Sequence, residues 1–578
     1  MRALIYALEQ PREESGYGAS TRQESFAAAG FLHCYQCWSG ASGRRFERRP
    51  GVDNRIARGT RRYTRGASQA TLAQAAAFAW QEFIALNWPA LGGQRDVPDI
   101  RQPFGSQGVP LVWHTYRSKV EIFPGKGSAN VGPPGYKPDG DPSYGYGTAP
   151  TYDYSFTVPA CSGQIAPKLP AWINLDESTQ IGLDQMYAGV VPAAPTGGNS
   201  NPQLVRFLAK ANQVQYTYVA ANQFWYANPA LAQAARNFFN AVKQTPPTFP
   251  SAPRVNFPSG TIEVKSAWRQ LGPGEDPSRF HRQTVRFYEQ PPGKGTCYFE
   301  AQWAMVALHI IQKTPTAPSF IYATFEQADN ILLPSGKPLE DENGRIINPA
   351  PGPMPTNPGL SYQDDPNNPQ VKAQGAFCKP GKQLYLREIA KGGTPAGGPI
   401  CINQRYEPIA ADVIQVNQAA HQAIQSYSQA KNVKNSPWQY YKLVSVQAQP
   451  FDTTQLSKTD PSHSAAVYYQ ANIMVETDYT LQQFRGRIAA NGAPTSFQAA
   501  GAPPPPNVFA QSAGSAAVHG VNMGGCMGCH GNAQVAGFDF SFILKGGNVR
   551  APETAGAESA AAASQRYLQL FTPSSTGK

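Results

Sequence analysis

No stretch of this 578-residue chain approaches the roughly 20 consecutive apolar residues that a membrane-spanning helix requires, so a soluble body without a transmembrane helix is expected. Charged residues are scarce at 15%, and no internal repeat is found. Lysine is absent from residues 1–66, which hold twelve arginines and six acidic residues and so carry more than half of the net charge of +11. A nucleic-acid binder would spread basic residues over a folded face interleaved with aromatics. Here they cluster at Arg44-Arg45, Arg48-Arg49 and Arg61-Arg62, so no nucleic-acid partner is expected. The same segment lacks a recognisable export signal. The six apolar residues from Ala3 to Leu8 fall short of an apolar core of about 7–15. Residues 1–66 therefore read as an Arg-rich extension, disordered or mis-assigned.

What is abundant is glycine and proline, 53 of each, which predicts long turn-rich connections rather than a helical bundle. Leu72, Ala76, Ala79, Phe83 and Leu86 mark a helix, and Trp80, Ile84 and Trp88 off that stripe make it apolar on several sides. A second helix starts at Asn228-Pro229, with Leu231, Ala235, Phe238 and Val242 on its apolar face. A third fits Val413, Val416, Ala420, Ile424 and Tyr427. Strands are expected at 111–113, around Ile262, Val264 and Trp268, at 284–288, at 297–311 and at 467–475, paired mostly antiparallel through short links. Long loops are expected at 124–160 and 330–382, and Pro503–Pro506 reads as a stiff linker. The expected fold class is α+β. A loop-rich body with antiparallel strands and a few helices spans 67–500, and the proline linker and a short C-terminal segment span 501–578.

That segment contains Cys526-Met527-Gly528-Cys529-His530, the C-x-x-C-H signature of covalent haem attachment. Two thiols three positions apart can each form a thioether to one haem, and the adjacent His530 can ligate the iron. With eight Cys and eight His in the chain, chance supplies this pattern about 0.0015 times. Two other readings compete with it. A zinc site would recruit Cys34 and Cys37 from the arginine-rich segment. A redox dithiol would want a βαβ context, whereas the motif follows Gly524-Gly525 and reads as a loop. The cofactor expected is one covalent haem c, with Cys526 and Cys529 as thioether residues and His530 as proximal iron ligand.

Only 48 residues come after His530, and none is Met or His. A distal ligand would have to come from upstream, or be water, or be absent, which puts the haem against the large body. His309, Met523 and His519 are the leading candidates. Met305 and His309, four apart in a strand, would share one face. His421, His114, His281, Met474 and His463 remain as further choices. Cys378 and Cys401 bracket a Gly/Pro-rich loop, and Cys161 and Cys297 are a possible pair; sequence leaves the connectivity of these four open. Asp176-Glu177 and Glu326 with Asp329 are carboxylate clusters that could serve acid/base chemistry or simply cap loops.

Residues 515–544, with the haem motif and then Phe538-Asp539-Phe540-Ser541-Phe542-Ile543-Leu544, resemble the C-terminus of bacterial cytochrome c family proteins. Residues 80–89, 112–123, 260–271 and 309–330 resemble the same group, so the likeness covers most of 70–548 and none of 1–66. The resemblance implies an exported, periplasmic, single-haem protein and no defined substrate. The expected function is electron transfer to a redox partner protein outside the cytoplasm. A haem oxidoreductase with an open distal iron, or a haem-based sensor, is the alternative.

Overall fold

The computed structural model describes residues 70–178 (save 129 and 139), 186–187, 205–242 (save 227), 244, 252–330 (save 273 and 292), 337–348, 385–386, 408–449, 472, 474–475, 508–511, 518–521, 525–544 and 549–554. Residues 1–66, the proline linker, Cys378, Cys401 and most of the expected loop at 330–382 lie outside them. Among the described residues, the fold is α+β and none of the helices is long and apolar enough to cross a membrane.

Its centre is an eight-stranded sheet. The spine is β7 (Cys297–Thr314), paired on one edge with β5 (Ile262–Arg269) and on the other first with β6 (Arg282–Glu289) and then with β8 (Ala317–Gln327). Beyond β5 lie β4 (Arg206–Ala211) and the short β1 (Arg117–Ser118), and β10 (Tyr441–Gln447) pairs with β8. All these pairs are antiparallel, as the short links predict; β2 (Ile173–Leu175), parallel to β6, is the exception. A two-stranded pairing joins β3 (Met186–Tyr187) to β9 (Tyr385–Leu386). Cys161 and Cys297, at the start of β7, are joined in a disulfide.

One face of the eight-stranded sheet is covered by α1 (Leu72–Leu86) and α5 (Ala411–Ala430). Both helices lie where the apolar periodicity puts them. Thr71 and Gln74 cap the start of α1 reciprocally, side chain to backbone, at 3.2 and 3.0 Å. Trp80 packs edge to face on Phe325 of β8, and Phe83 lies tilted against the same ring. Buried Asn417 of α5 ties three elements together. It accepts from the Trp80 indole at 2.8 Å and from the Leu443 amide at 3.1 Å, and donates to the Leu443 carbonyl at 2.9 Å. Such full satisfaction is what makes a buried amide tolerable.

The opposite face carries α3 (Gln213–Ala221), α4 (Pro229–Val242) and the C-terminal segment. α4 begins as expected, with the Asn228 side chain accepting from the Ala230 amide at 2.7 Å. Near the end of β1, the four-residue helix α2 (Lys119–Ile122) brings buried Glu121 to Arg95 at 2.6 Å. Glu121 also accepts from the Ser118 amide at 3.0 Å, and Arg95 from its other edge reaches the carbonyls of Thr115 and Thr148.

Three expectations are corrected. Residues 111–113 do not form a strand: Leu111 makes only an isolated bridge, and Trp113–Thr115 is a 3₁₀ turn. Local side chains capture the backbone there, with the Leu111 amide donating to His114 Nδ1 and the Thr115 hydroxyl to the Val112 carbonyl. The described part of 467–475 is a turn, because Asn472 Oδ1 accepts from the Met474 amide at 3.0 Å. The third correction concerns β7, where Met305 and His309 do not share a face. Its register against β5 slips between Ala267↔Ala307 and Trp268↔Met305, so Val306 is an extra residue. Met305 consequently joins Leu308 and Ile310 under the helices, while His309 and Ile311 turn to the other side.

Candidate functional site

The C-x-x-C-H motif lies not in a loop but at the start of α6 (Gly525–Val535). Gly525 has a φ of +65°, open to glycine, and the chain enters the helix directly after it. One N-terminal amide, that of fully buried Met527, donates to Gln447 Oε1 of β10 at 2.9 Å, so a helix end that would otherwise be orphaned is anchored to the sheet. On a helix, Cys526, Cys529 and His530 stand at i, i+3 and i+4 and so share one face. Cys526 is half-buried beside the core of that side of the sheet.

His530 is held by the segment just beyond the helix. The chain turns back at Gly537, whose φ is +92° and where a Cβ would sit 2.5 Å from the Ala235 carbonyl oxygen. Asp539 and Phe540 then both adopt left-handed backbone, at φ 54° and 61°. Two such non-glycine residues in succession cost about 1–3 kcal/mol each and persist only where their surroundings impose them. The surroundings here are explicit. The Asp539 carboxylate accepts from Lys313 Nζ of β7 at 2.7 Å and from the Phe257 amide at 2.6 Å. The Ser541 hydroxyl donates to Glu263 of β5, which also accepts from Gln215 of α3.

The product of this turn is the position of one carbonyl. The Phe540 oxygen lies 2.8 Å from His530 Nδ1 and 2.7 Å from the Tyr322 hydroxyl. A carbonyl only accepts, so Nδ1 carries the proton and Nε2 is the basic nitrogen. The imidazole packs between the rings of Tyr322 and Phe542, at centroid distances of 4.8 and 5.1 Å. Burial drives its pKa down to about 4 against the pull of the Phe540 carbonyl, so the ring is neutral at pH 7. Burial also raises the carboxyls of Glu263 and Asp539, opposed by Ser541 and Lys313 respectively.

His309 lies on the same sheet face, between its cross-strand neighbours Lys265 and Thr324. Burial, then Lys265 and His530, push its pKa down to about 3, which puts the two histidines within electrostatic reach of each other. Its Nε2 is 3.2 Å from the Thr324 hydroxyl. The other candidates are elsewhere. His519 is on β12 (Val518–Val521), opposite Ala510 of β11 (Val508–Gln511). Met523, His463, Cys34 and Cys37 lie outside the described residues. His114 and His281 face each other at 3.3 Å in the core under the other face, and His421 bonds Asn343 and the Tyr441 carbonyl. Met474 is buried against Val306 and Ala307. Among the described residues, no group of three or more His, Cys, Asp or Glu is arranged to hold a metal ion.

Three carboxylates of the two clusters have partners in the fold. Asp329 forms a two-pronged pair with Arg279, both contacts 2.7 Å, and Glu177 pairs with Lys119 at 2.7 Å. Asp176 is buried beneath Tyr154, whose hydroxyl it accepts at 3.0 Å. Burial, then neighbouring Glu177, raise its pKa to about 7. A carboxyl raised in the folded state contributes stability that is complete below its unfolded value of about 4 and is lost as pH rises through 7. Asp176→Asn is therefore expected to flatten the loss of stability between pH 4 and 7. Urea unfolding at pH 4.5 and 7.5 reads this, and equal losses in both proteins would clear Asp176 of the role. The variant retains Asp96, raised to about 6 by burial, so a smaller slope remains.

The turn at Asp539–Phe540, Tyr322 and Glu263 has no signature in the sequence, although the resemblance at 309–330 and 538–544 falls on it. No family model, no curated protein and no solved structure matches the chain.

Proposed function

We propose that Cys526, Cys529 and His530 hold one covalently attached haem c, and that the protein transfers electrons to a partner protein outside the cytoplasm. The observation that carries this reading is the His530 Nδ1–Phe540 carbonyl bond, inside a C-x-x-C-H motif on a helix. Metal-ligating histidines are usually oriented by a hydrogen bond from the other ring nitrogen, and this bond leaves a neutral imidazole with Nε2 as donor atom. The residues fit the group: two cysteine positions one helical turn apart on α6 and a preoriented nitrogen base at the next position. When bound, the haem supplies one-electron redox chemistry.

The chain's own contribution is orientation and exclusion of water. Phe540 fixes the tautomer and plane of His530, Tyr322 and Phe542 cover its ring, and Gln447 anchors the first turn of α6. Dithiol chemistry has less support, because the motif helix packs against β10, an antiparallel strand, rather than in a βαβ unit.

The test is the optical spectrum of protein matured in an exporting, haem-c-competent host, oxidised and reduced, with and without carbon monoxide. A low-spin reduced spectrum indifferent to carbon monoxide is expected, since an electron carrier needs no open coordination position. A high-spin spectrum that moves with carbon monoxide would transfer the assignment to a haem oxidoreductase or sensor. Absence of covalent haem would overturn the proposal.

A further inference from the structure

The Phe540 carbonyl serves two donors at once, the His530 imidazole and the Tyr322 phenol, at nearly equal distances of 2.8 and 2.7 Å. The Tyr322 ring already packs in the core formed with Phe320 and Ile311, where phenylalanine would fill the same space. The carbonyl, in contrast, is held in place at a conformational cost. It is aimed by two successive left-handed residues, which Lys313 and Phe257 hold through the Asp539 carboxylate. A carbonyl oxygen that accepts one hydrogen bond is a weaker acceptor for a second that must share its electron density. The Tyr322 hydroxyl therefore draws on the same oxygen that withdraws the Nδ1 proton of His530. The stronger the Nδ1–H bond, the more basic Nε2 becomes.

We propose that Tyr322 is a positioning residue that limits the electron donation of His530 by competing for the Phe540 carbonyl. This role rests on the haem reading given under the proposed function. A less basic Nε2 favours the reduced iron, so the competing phenol holds the reduction potential higher than His530 and Phe540 alone would set it. The device lies on β8, more than two hundred residues from the motif, and acts only through the second nitrogen of the ring.

The experiment compares the haem-loaded wild type with Tyr322→Phe by spectroelectrochemical titration. At a fixed mediator potential, the variant is expected to move several-fold towards the oxidised form, where tenfold corresponds to 59 mV for one electron. Its absorption spectrum should keep the wild-type spin state, since His530 itself is untouched. Ile311→Val, which loosens the packing beside the Tyr322 ring but leaves both donors on the carbonyl and the cover of His530 intact, is the control and should leave the potential in place. A Tyr322→Phe potential that is unchanged or raised overturns the inference. So does an equal fall in Ile311→Val, which would assign the effect to packing around Tyr322. A wild type without covalent haem would overturn the proposed function and this role together; haem present with an unmoved potential overturns the role of Tyr322 alone.

Discussion

A chain carrying Cys526→Ala and Cys529→Ala together is expected to run colourless on a haem-stained denaturing gel, whereas the wild type stains. The expected effect is complete because thioether bonds alone survive denaturation; no other interaction in the molecule can retain haem in detergent. The substitutions themselves should be mild. Cys526 is half-buried at the edge of an apolar core, and alanine is the better helix former. Folding, monitored by circular dichroism, should therefore persist while the stain is lost. His530→Ala separates the roles further. Attachment through the thiols should remain in part, and the spin state should change because the proximal nitrogen is gone. A stained double alanine chain, or a His530 variant with the wild-type spectrum, would place the cofactor elsewhere.

The second large effect concerns stability. Glu121→Gln is expected to cost about 3–5 kcal/mol, the range for breaking a buried ion pair from one side. Arg95 and Glu121 are each 1% exposed, and the glutamine would leave the guanidinium in the core without its counter-charge. Total stabilities of about 5–15 kcal/mol make that a large fraction, visible as a fall in the urea midpoint. Burial pushes the Glu121 carboxyl up, but Arg95, Arg117 and Lys210 outweigh it and hold the pKa below the ordinary value. Such a group contributes stability above its unfolded value of about 4.3, lost as pH falls through its folded value. The gap between wild type and Glu121→Gln should thus narrow in acid. A gap that stays constant would mean that shape, not charge, is what the variant lost.

How far the sequence is legible differs from element to element, for reasons of range. α1, α4 and α5 follow from spacing because an amphipathic period and its caps are local properties. β5 to β7 follow from alternation and β-rich composition. β8 and β10 escape such a reading, since strands buried on both faces show no alternation, and residues 317–327 are almost wholly buried. The motif is legible because its five residues are adjacent in the chain. Their support is not. Tyr322, Lys313 and Glu263 meet Phe540, Asp539 and Ser541 across more than two hundred residues, and nothing in the spacing of either segment encodes the meeting. The Cys161–Cys297 pair is similar: composition offers it as one possibility, and only the fold closes it.

The single extra residue at Val306 works as a change of parity within one strand. Upstream of it, odd-numbered positions of β7 such as Trp303 and Met305 point to the helices; downstream, even-numbered Leu308 and Ile310 do. One covalent strand thereby reads as two hydrophobic patterns joined out of phase, the first addressed to β6 and the second to β8. Insertion or loss of one residue there would exchange the inner and outer faces of everything downstream, carrying His309 into the helix-side core and Ile310 out to the motif side. The arrangement of the candidate site thus depends on a count of residues as much as on their chemistry.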